Sequence, residues 1–206
     1  MIEIKSTIEK IFPTPIYFSN INRKLTNEEK KFVNFNKKLL MKNEGNYTST
    51  NNYILENEKL KNIKEFLGVL VKNYFDNIVS PSENITPYIT QSWLNYTKKG
   101  EFHHTHCHPN SYVSGVFYIE SDKGDGISFN KNIYQQIKIE PIKLNTFNSD
   151  SWDFSIKTGD VVLFPSHLQH CVKHRKSNKN VRTSLAFNVF LKGIIGYNHS
   201  LTELIL

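Results

Sequence analysis

The chain has 206 residues, of which 38% are hydrophobic and 22% charged, enough apolar material for one folded domain. This composition excludes an intrinsically disordered or fibrous protein. No apolar run approaches the ~20 residues of a membrane span, and the N-terminal MIEIKSTIEK lacks the apolar region of a signal peptide. We therefore expect a cytoplasmic protein without a membrane partner.

The net charge of +7 comes from 23 lysines and only 3 arginines, dispersed among 24 asparagines. Proteins that read base edges rely on Arg, whose planar fork matches guanine. An excess of Lys and Asn is also what an A/T-rich genome produces, so nucleic acid is disfavoured as a partner. Cys107 and Cys171 are too few for a disulfide scaffold, which fits a reducing compartment.

The first elements are predicted to be a strand and a helix. Two prolines keep the segment IFPTPIYFSNI, residues 11–21, extended, and its apolar residues alternate in the manner of a strand. Thr26 is a candidate helix cap. Apolar residues from Phe32 to Leu40 then recur at helical spacing, which predicts a helix over about 26–43.

The next segments predict a loop and a second helix. GNYTSTNNYI, residues 45–54, has the polar composition of a loop. Apolar residues from Leu55 to Tyr74 then mark an amphipathic helix that ends before Pro81. The first third of the chain is therefore predicted to be mostly helical.

After residue 85 the sequence changes to short β-rich runs separated by polar turns. Seven such runs are present: ITPYITQSWLNY, SYVSGVFYIE, DGISFN, IYQQIKIEPI, WDFSIK, DVVLFPS and RTSLAFNVFL. This pattern predicts a β-sandwich or barrel. Without a linker between the halves, we expect a single domain over 1–206, with an N-terminal strand and helices (1–84), a β core (85–195) and a C-terminal tail (196–206).

The densest chemical signal is EFHHTHCHPNS, residues 101–111. On a strand, His104, His106 and His108 share one face and His103 points to the other. A second segment, GDVVLFPSHLQHCVKH, contributes His167, His170 and His174. Two histidines from one strand and one from a distant strand make a three-ligand site with open positions, as in catalytic iron or zinc centres. Solvated surface histidines are the alternative interpretation of the same pattern.

Arg182 strengthens the case for a functional site. It lies in the apolar run RTSLAFNVFL and shares a strand face with Ser184. A buried guanidinium requires an anionic partner. That partner is either a carboxylate of the protein or a carboxylate cosubstrate, and the sequence leaves both open.

Together these residues resemble the 2-oxoglutarate and Fe(II)-dependent oxygenases. The resemblance implies a mainly β protein with an α-helical layer, in which N-terminal helices pack on a double-stranded β-helix (a jelly roll, cupin-like). More narrowly, HCHPNSYVSGVFYI, GDVVLFPSHLQH and RTSLAFN look like a small group of bacterial and phage members with an HxHPNSxxSGVxY motif. In a phage-encoded protein the expected cytoplasm is that of the host cell. The positions of the family pattern are occupied here by Tyr96, Gly100, His106, His108, His170, Arg182 and Ser184.

The resemblance implies Fe(II) bound by His106, His108 and His170. It also implies that 2-oxoglutarate meets Arg182 and Ser184, and strand parity adds Asn95 and Tyr118 as candidate cosubstrate contacts. His108 stands where the superfamily usually has a carboxylate, which leaves open an alternative pairing of His104 with His106. Asp125 and Glu120 are less favoured candidates for an additional ligand.

The implied reaction is the oxidative decarboxylation of 2-oxoglutarate to succinate and CO₂, coupled to hydroxylation of a small-molecule or peptidyl substrate. Candidate residues at the substrate entrance are His104, His167 and Trp93.

Two other classes fit the same residues. A cupin-like enzyme with a three-histidine metal would not use 2-oxoglutarate, and Arg182 would then bind another carboxylate. A jelly-roll structural or binding module would have no activity. A homo-oligomer is compatible with each of the three classes.

Overall fold

The computed structural model describes residues 5–81, 85–132, 137 and 139–206. The N-terminal part combines short strands and helices. Two 3-10 turns, Ile54–Glu56 and Glu58–Leu60, lead into the second helix, and one π-helical turn, Phe75–Val79, extends it. The elements are β1 (Tyr17–Asn20), α1 (Asn27–Asn36), β2 (Leu40–Lys42), β3 (Tyr47–Ser49) and α2 (Lys61–Tyr74). None of the helices in the described ranges has the length and apolar character needed to cross a membrane.

The remainder is almost entirely β-structure. Its strands are β4 (Ile85–Thr97), β5 (His103–His106), β6 (Val113–Glu120), β7 (Gly126–Asn130), β8 (Ser151–Ser155), β9 (Asp160–Pro165), β10 (Gln169–Val172), β11 (Arg182–Ile195) and β12 (Leu204–Ile205). Six of the seven predicted runs contain a strand. Of the seventh, IYQQIKIEPI, residues 133–136 and 138 lie outside the described residues, and residues 139–142 are not in a strand.

The strands form two antiparallel sheets. One has the order β1-β9-β6-β11-β4-β3-β2, with β12 paired to β11, and the other has the order β5-β10-β7-β8. From β4 to β11 the chain alternates between the sheets except at the β7–β8 pair, because β4, β6, β9 and β11 belong to the first and β5, β7, β8 and β10 to the second. This is the strand order of a double-stranded β-helix, and the predicted fold class is confirmed.

The large sheet has a core on each of its faces. On β9, Val161 and Leu163 pack against the helices, whereas Val162 and Phe164 join the core between the sheets. On β11, Leu185 and Phe187 also belong to the core on the helix side. The residues of β9 and β11 that alternate with these in sequence therefore face the space between the two sheets.

The predicted helix over 26–43 is correct at its start and wrong at its end. Thr26 forms a capping box with Glu29: its hydroxyl accepts from the Glu29 N–H at 3.2 Å, and the Glu29 carboxylate accepts from the Thr26 N–H at 2.7 Å. The helix ends at Asn36, because the chain then enters β2, which pairs with β3. The segment predicted as a loop contains β3, which in turn pairs with β4. Sheet pairing between distant residues overrides the local helical spacing here.

Candidate metal centre

Three histidines meet between the ends of β5 and β10. These strands are antiparallel, and His106 lies directly opposite His170. His108 follows β5 by two residues, and its backbone N–H donates to the Ser166 carbonyl at 2.9 Å. The coordinating atoms of the three rings lie within 4.8 Å of one another, and Nε2 of His108 is 3.3 Å from Nε2 of His170.

Backbone carbonyls fix two of these rings. His106 Nδ1 donates to the His104 carbonyl at 2.8 Å, and His170 Nδ1 donates to the Leu168 carbonyl at 3.0 Å. In a neutral imidazole, a proton on Nδ1 leaves the lone pair on Nε2. This arrangement orients metal-binding histidines in many proteins.

The environment keeps the three rings neutral at pH 7. Burial, together with the neighbouring His106, lowers the pKa of His108 to about 4 and that of His170 to about 3. Burial also lowers the pKa of His106. Neutral imidazole is the form that binds a metal, so protons compete little for these nitrogens near neutral pH.

The donor set fits a first-row transition metal. Three imidazole nitrogens suit iron, zinc, nickel or copper better than Mg²⁺ or Ca²⁺, which prefer oxygen ligands. Asp125 and Glu120, the less favoured candidate ligands, are engaged elsewhere. Asp125 Oδ1 accepts from Arg175 Nε at 2.8 Å, and Glu120 Oε2 is 3.5 Å from Lys37 Nζ.

The three histidines line a cleft between the sheets that also contains polar groups without partners. Among the described residues, only four buried side-chain polar atoms lack a hydrogen bond, and three of them belong to residues that line this cleft. These three are Asn95 Oδ1, Tyr118 Oη and Arg182 Nη1. Buried polar atoms are almost always paired in proteins, so three unpaired ones in one cleft indicate a binding site for a polar ligand.

Arg182 has no carboxylate partner among the described residues. Its side chain begins on β11, is 4% exposed, and places the guanidinium carbon 5.2 Å from the centre of the Tyr118 ring. Asp122 and Asp125 instead form ion pairs with Arg175, at 2.7 and 2.8 Å. Of the two partners that the sequence leaves open for Arg182, the structure therefore disfavours a protein carboxylate.

The other residues predicted for the site fall into two groups. Ser184 and Trp93 line the cleft, and the Trp93 ring centre lies 5.7 Å from that of His108. His104 and His167 are not among the described residues that line the cleft. His104 Nδ1 lies 3.8 Å from Glu44 Oε2, and His167 is exposed.

The prediction that His103 faces away from the other histidines was wrong. His103 lines the cleft, and its ring stacks on His106 with 4.4 Å between centres. The cause is a bulge: His170 and Val172, two residues apart on β10, pair with His106 and His103, three residues apart on β5. The extra residue on β5 turns the His103 side chain to the same face as that of His106. Asn46, between β2 and β3, also lines the cleft and was missed because the sequence there predicts a loop.

Part of this chain matches a known protein family. Residues 91–188 match the family model described as "Putative 2OG-Fe(II) oxygenase", a stretch that includes the three histidines and Arg182. No curated protein matches the sequence significantly.

Several solved structures share the fold. HygX from Streptomyces hygroscopicus, with nickel, 2-oxoglutarate and hygromycin B bound, is 12% identical with a TM-score of 0.55, and the match covers 85% of this chain and 82% of HygX. A Trichoplax adhaerens prolyl hydroxylase in complex with a hypoxia inducible factor peptide fragment is 12% identical with a TM-score of 0.58, covering 85% and 83%. SnoN, a non-heme alpha ketoglutarate dependent epimerase from nogalamycin biosynthesis, is 6% identical with a TM-score of 0.59, covering 87% and 79%.

At these identities, structural similarity establishes the fold and not the reaction, as a hydroxylase and an epimerase among the neighbours illustrate. The family model matches residues 91–188, and the solved structures share the fold of this chain.

Proposed function

We propose that this protein is an Fe(II)- and 2-oxoglutarate-dependent dioxygenase that hydroxylates its substrate and releases succinate and CO₂. One observation supports this most strongly. A cluster of three neutral histidines, two of them oriented by backbone carbonyls, lines the same cleft as three unpaired polar atoms. A chelating cosubstrate would contact both sets at once.

In this proposal His106, His108 and His170 hold the iron. Bound Fe(II), together with 2-oxoglutarate and dioxygen, supplies the oxidising power to cleave a C–H bond of the substrate. The carbonyls of His104 and Leu168 hold two of the rings so that Nε2 faces the metal. With His108 in place of a carboxylate, the site has one negative charge fewer, which favours an anionic cosubstrate.

Arg182 binds the carboxylate of 2-oxoglutarate that is remote from the metal, with help from Ser184. The guanidinium offers a donor pair that matches a carboxylate, and Nη1 is free to donate. The Tyr118 hydroxyl can donate a second bond. The oxygen and nitrogen of the Asn95 amide exchange by rotation about the side chain, so Asn95 can donate as well as accept.

The walls of the cleft also limit access of water to the reacting groups. Ile127 and Phe164 line it, and each is at most 2% exposed. Apolar walls strengthen the attraction between Arg182 and a carboxylate, because the local dielectric is lower than in water.

The substrate class is a small molecule or a peptide that reaches the metal past Trp93, with His104 and His167 near the entrance. We also propose that the protein is cytoplasmic and is related to the small bacterial and phage group of the superfamily. In this proposal neither a membrane nor nucleic acid is a partner, and a homo-oligomer is compatible with it.

The test is an anaerobic titration of the protein with Fe(II) and 2-oxoglutarate. We expect a weak metal-to-ligand charge-transfer band in the visible region, and succinate once oxygen and substrate are added. Arg182→Ala is expected to abolish the band. Arg23→Ala, which removes an arginine that does not line the cleft, serves as the control and is expected to keep it.

Other outcomes favour the other classes. If the metal binds through the histidines but 2-oxoglutarate gives neither band nor succinate, a cupin-like three-histidine enzyme is the better description. If neither His106→Ala nor His170→Ala weakens metal binding, both enzyme proposals are wrong and a structural or binding module remains.

A further inference from the structure

A second group of histidines lies beside the proposed iron site. The coordinating atoms of His103, His104 and His106 lie within 4.8 Å of one another. The ring centres are 5.2 Å apart for His103 and His104, 4.4 Å for His103 and His106, and 4.9 Å for His104 and His106. Consecutive residues of a regular strand point to opposite faces. The bulge in β5 is what brings these three rings together.

Two further observations indicate that this group binds a ligand. His104 Nδ1 is buried and has no hydrogen-bond partner, the only such atom in the described residues outside the three that line the cleft. The nearest carboxylate oxygen, Glu44 Oε2, is 3.8 Å away, too far for a hydrogen bond. The residue before Glu44, Asn43, orients the His103 ring, because its Nδ2 lies 3.1 Å from His103 Nε2. An unpaired imidazole nitrogen beside two other imidazoles and a carboxylate forms a site for a cation.

The two groups of histidines share His106. Because His106 Nδ1 donates to the His104 carbonyl, Nε2 is its only nitrogen available for coordination. We propose that His103, His104 and His106, with Glu44, form a second transition-metal site whose occupation excludes metal from the His106, His108 and His170 site. Imidazole and carboxylate ligands suit Zn²⁺, Ni²⁺ or Cu²⁺.

This site would make the protein sensitive to metals other than iron. An ion held by His103 and His104 removes His106 from the first set, which is then left with two histidines. The exclusion of iron depends on the proposed iron site, whereas metal binding by His103, His104 and His106 does not. Zn²⁺ therefore inhibits without needing the contacts that hold 2-oxoglutarate.

Calorimetric titration of the untagged protein with Zn²⁺ tests this inference. His108→Ala/His170→Ala leaves only the second set intact, and we expect it to bind one Zn²⁺ per chain. Adding His104→Ala is expected to weaken binding by at least about 10-fold, since each ligand contributes strongly to metal affinity. Adding His199→Ala instead removes an exposed histidine of the C-terminal segment, and this control is expected to leave the affinity unchanged. The single variant His108→Ala changes the protein less than the double variant does. We expect the same order of Zn²⁺ affinities when His104→Ala or His199→Ala is added to it.

Equal Zn²⁺ affinity with and without His104→Ala would overturn the second site, as would absence of binding in both backgrounds. Wild-type protein is expected to bind one Zn²⁺ per chain, and two ions bound together would refute the exclusion. These results are independent of the charge-transfer band. A protein without the band, whose His104 still binds Zn²⁺, contradicts the proposed function and leaves the second site standing.

Discussion

Replacing Arg182 by Leu separates a functional arginine from a structural one. The Arg182 side chain is buried, and no carboxylate of the described residues pairs with it. In the ligand-free protein it is an uncompensated buried charge, and removing it relieves a desolvation cost. The substitution loses the contact with the Tyr118 ring, worth about 0.5–2 kcal/mol. We expect the free energy of unfolding of the ligand-free protein to stay the same or to rise.

The effect on cosubstrate binding is expected to be large. Truncating one partner of a buried, hydrogen-bonded charge pair costs about 2–5 kcal/mol. At about 1.36 kcal/mol per factor of ten, the dissociation constant of 2-oxoglutarate should rise by about 30-fold to about 5,000-fold. Arg182→Lys keeps the charge but loses the planar fork, so its effect should fall between wild type and Arg182→Leu.

Two measurements check this prediction. Urea unfolding of the metal-free protein gives the stability, and the charge-transfer band gives the affinity for 2-oxoglutarate. A structural ion pair would produce the opposite pattern, with stability lowered by about 3–5 kcal/mol and cosubstrate affinity unchanged. That pattern would refute the assignment of Arg182 to 2-oxoglutarate.

Two predictions concern the framework. In Gly115→Ala the new Cβ would lie 2.1 Å from Phe187 Cζ, so urea unfolding should show a loss of at least about 1–3 kcal/mol. The control Gly68→Ala on α2 meets nothing within 4 Å and should gain about 0.5–1 kcal/mol, and equal effects of the two substitutions would contradict this packing. Burial raises the pKa of Glu29, but bonds from Arg23 and Thr26 outweigh it and hold the pKa below its usual 4.5. The Glu29 carboxylate therefore stabilises the folded protein above pH 4.5, and this stabilisation is lost as the pH falls through the lower pKa of the folded state. The difference in free energy of unfolding between wild type and Glu29→Gln should shrink from pH 7 to pH 3. A difference that is constant with pH would show that the carboxylate charge is not involved.

Local patterns predicted the parts of the fold that depend on local physics. The continuous apolar run in DVVLFPS predicts a strand with two apolar faces, and β9 packs Val161 against the helices and Val162 between the sheets. The cap at Thr26 requires only a hydroxyl and a glutamate three residues later. On β11 the parity places Arg182 and Ser184 together in the cleft.

The errors arose where distant pairing decides the structure. Leu40 lies at helical spacing, yet it pairs with Ser49 in a hairpin that extends the large sheet. His103 reaches the cleft because the pairing of β5 with β10 contains a bulge. A bulge depends on how two strands align and leaves no mark in the spacing of either strand. The adjacent pair His103 and His104 was the only hint, because two histidines in a row supply an imidazole to either face.

A crystal structure of the protein soaked anaerobically with Fe(II) and 2-oxoglutarate, with iron located by anomalous scattering, tests the central claim most directly. We predict one iron bound to Nε2 of His106, His108 and His170, with the remote carboxylate of 2-oxoglutarate on Arg182. Iron bound elsewhere, or a filled iron site with Arg182 and Tyr118 still unpaired in the presence of saturating 2-oxoglutarate, would contradict it.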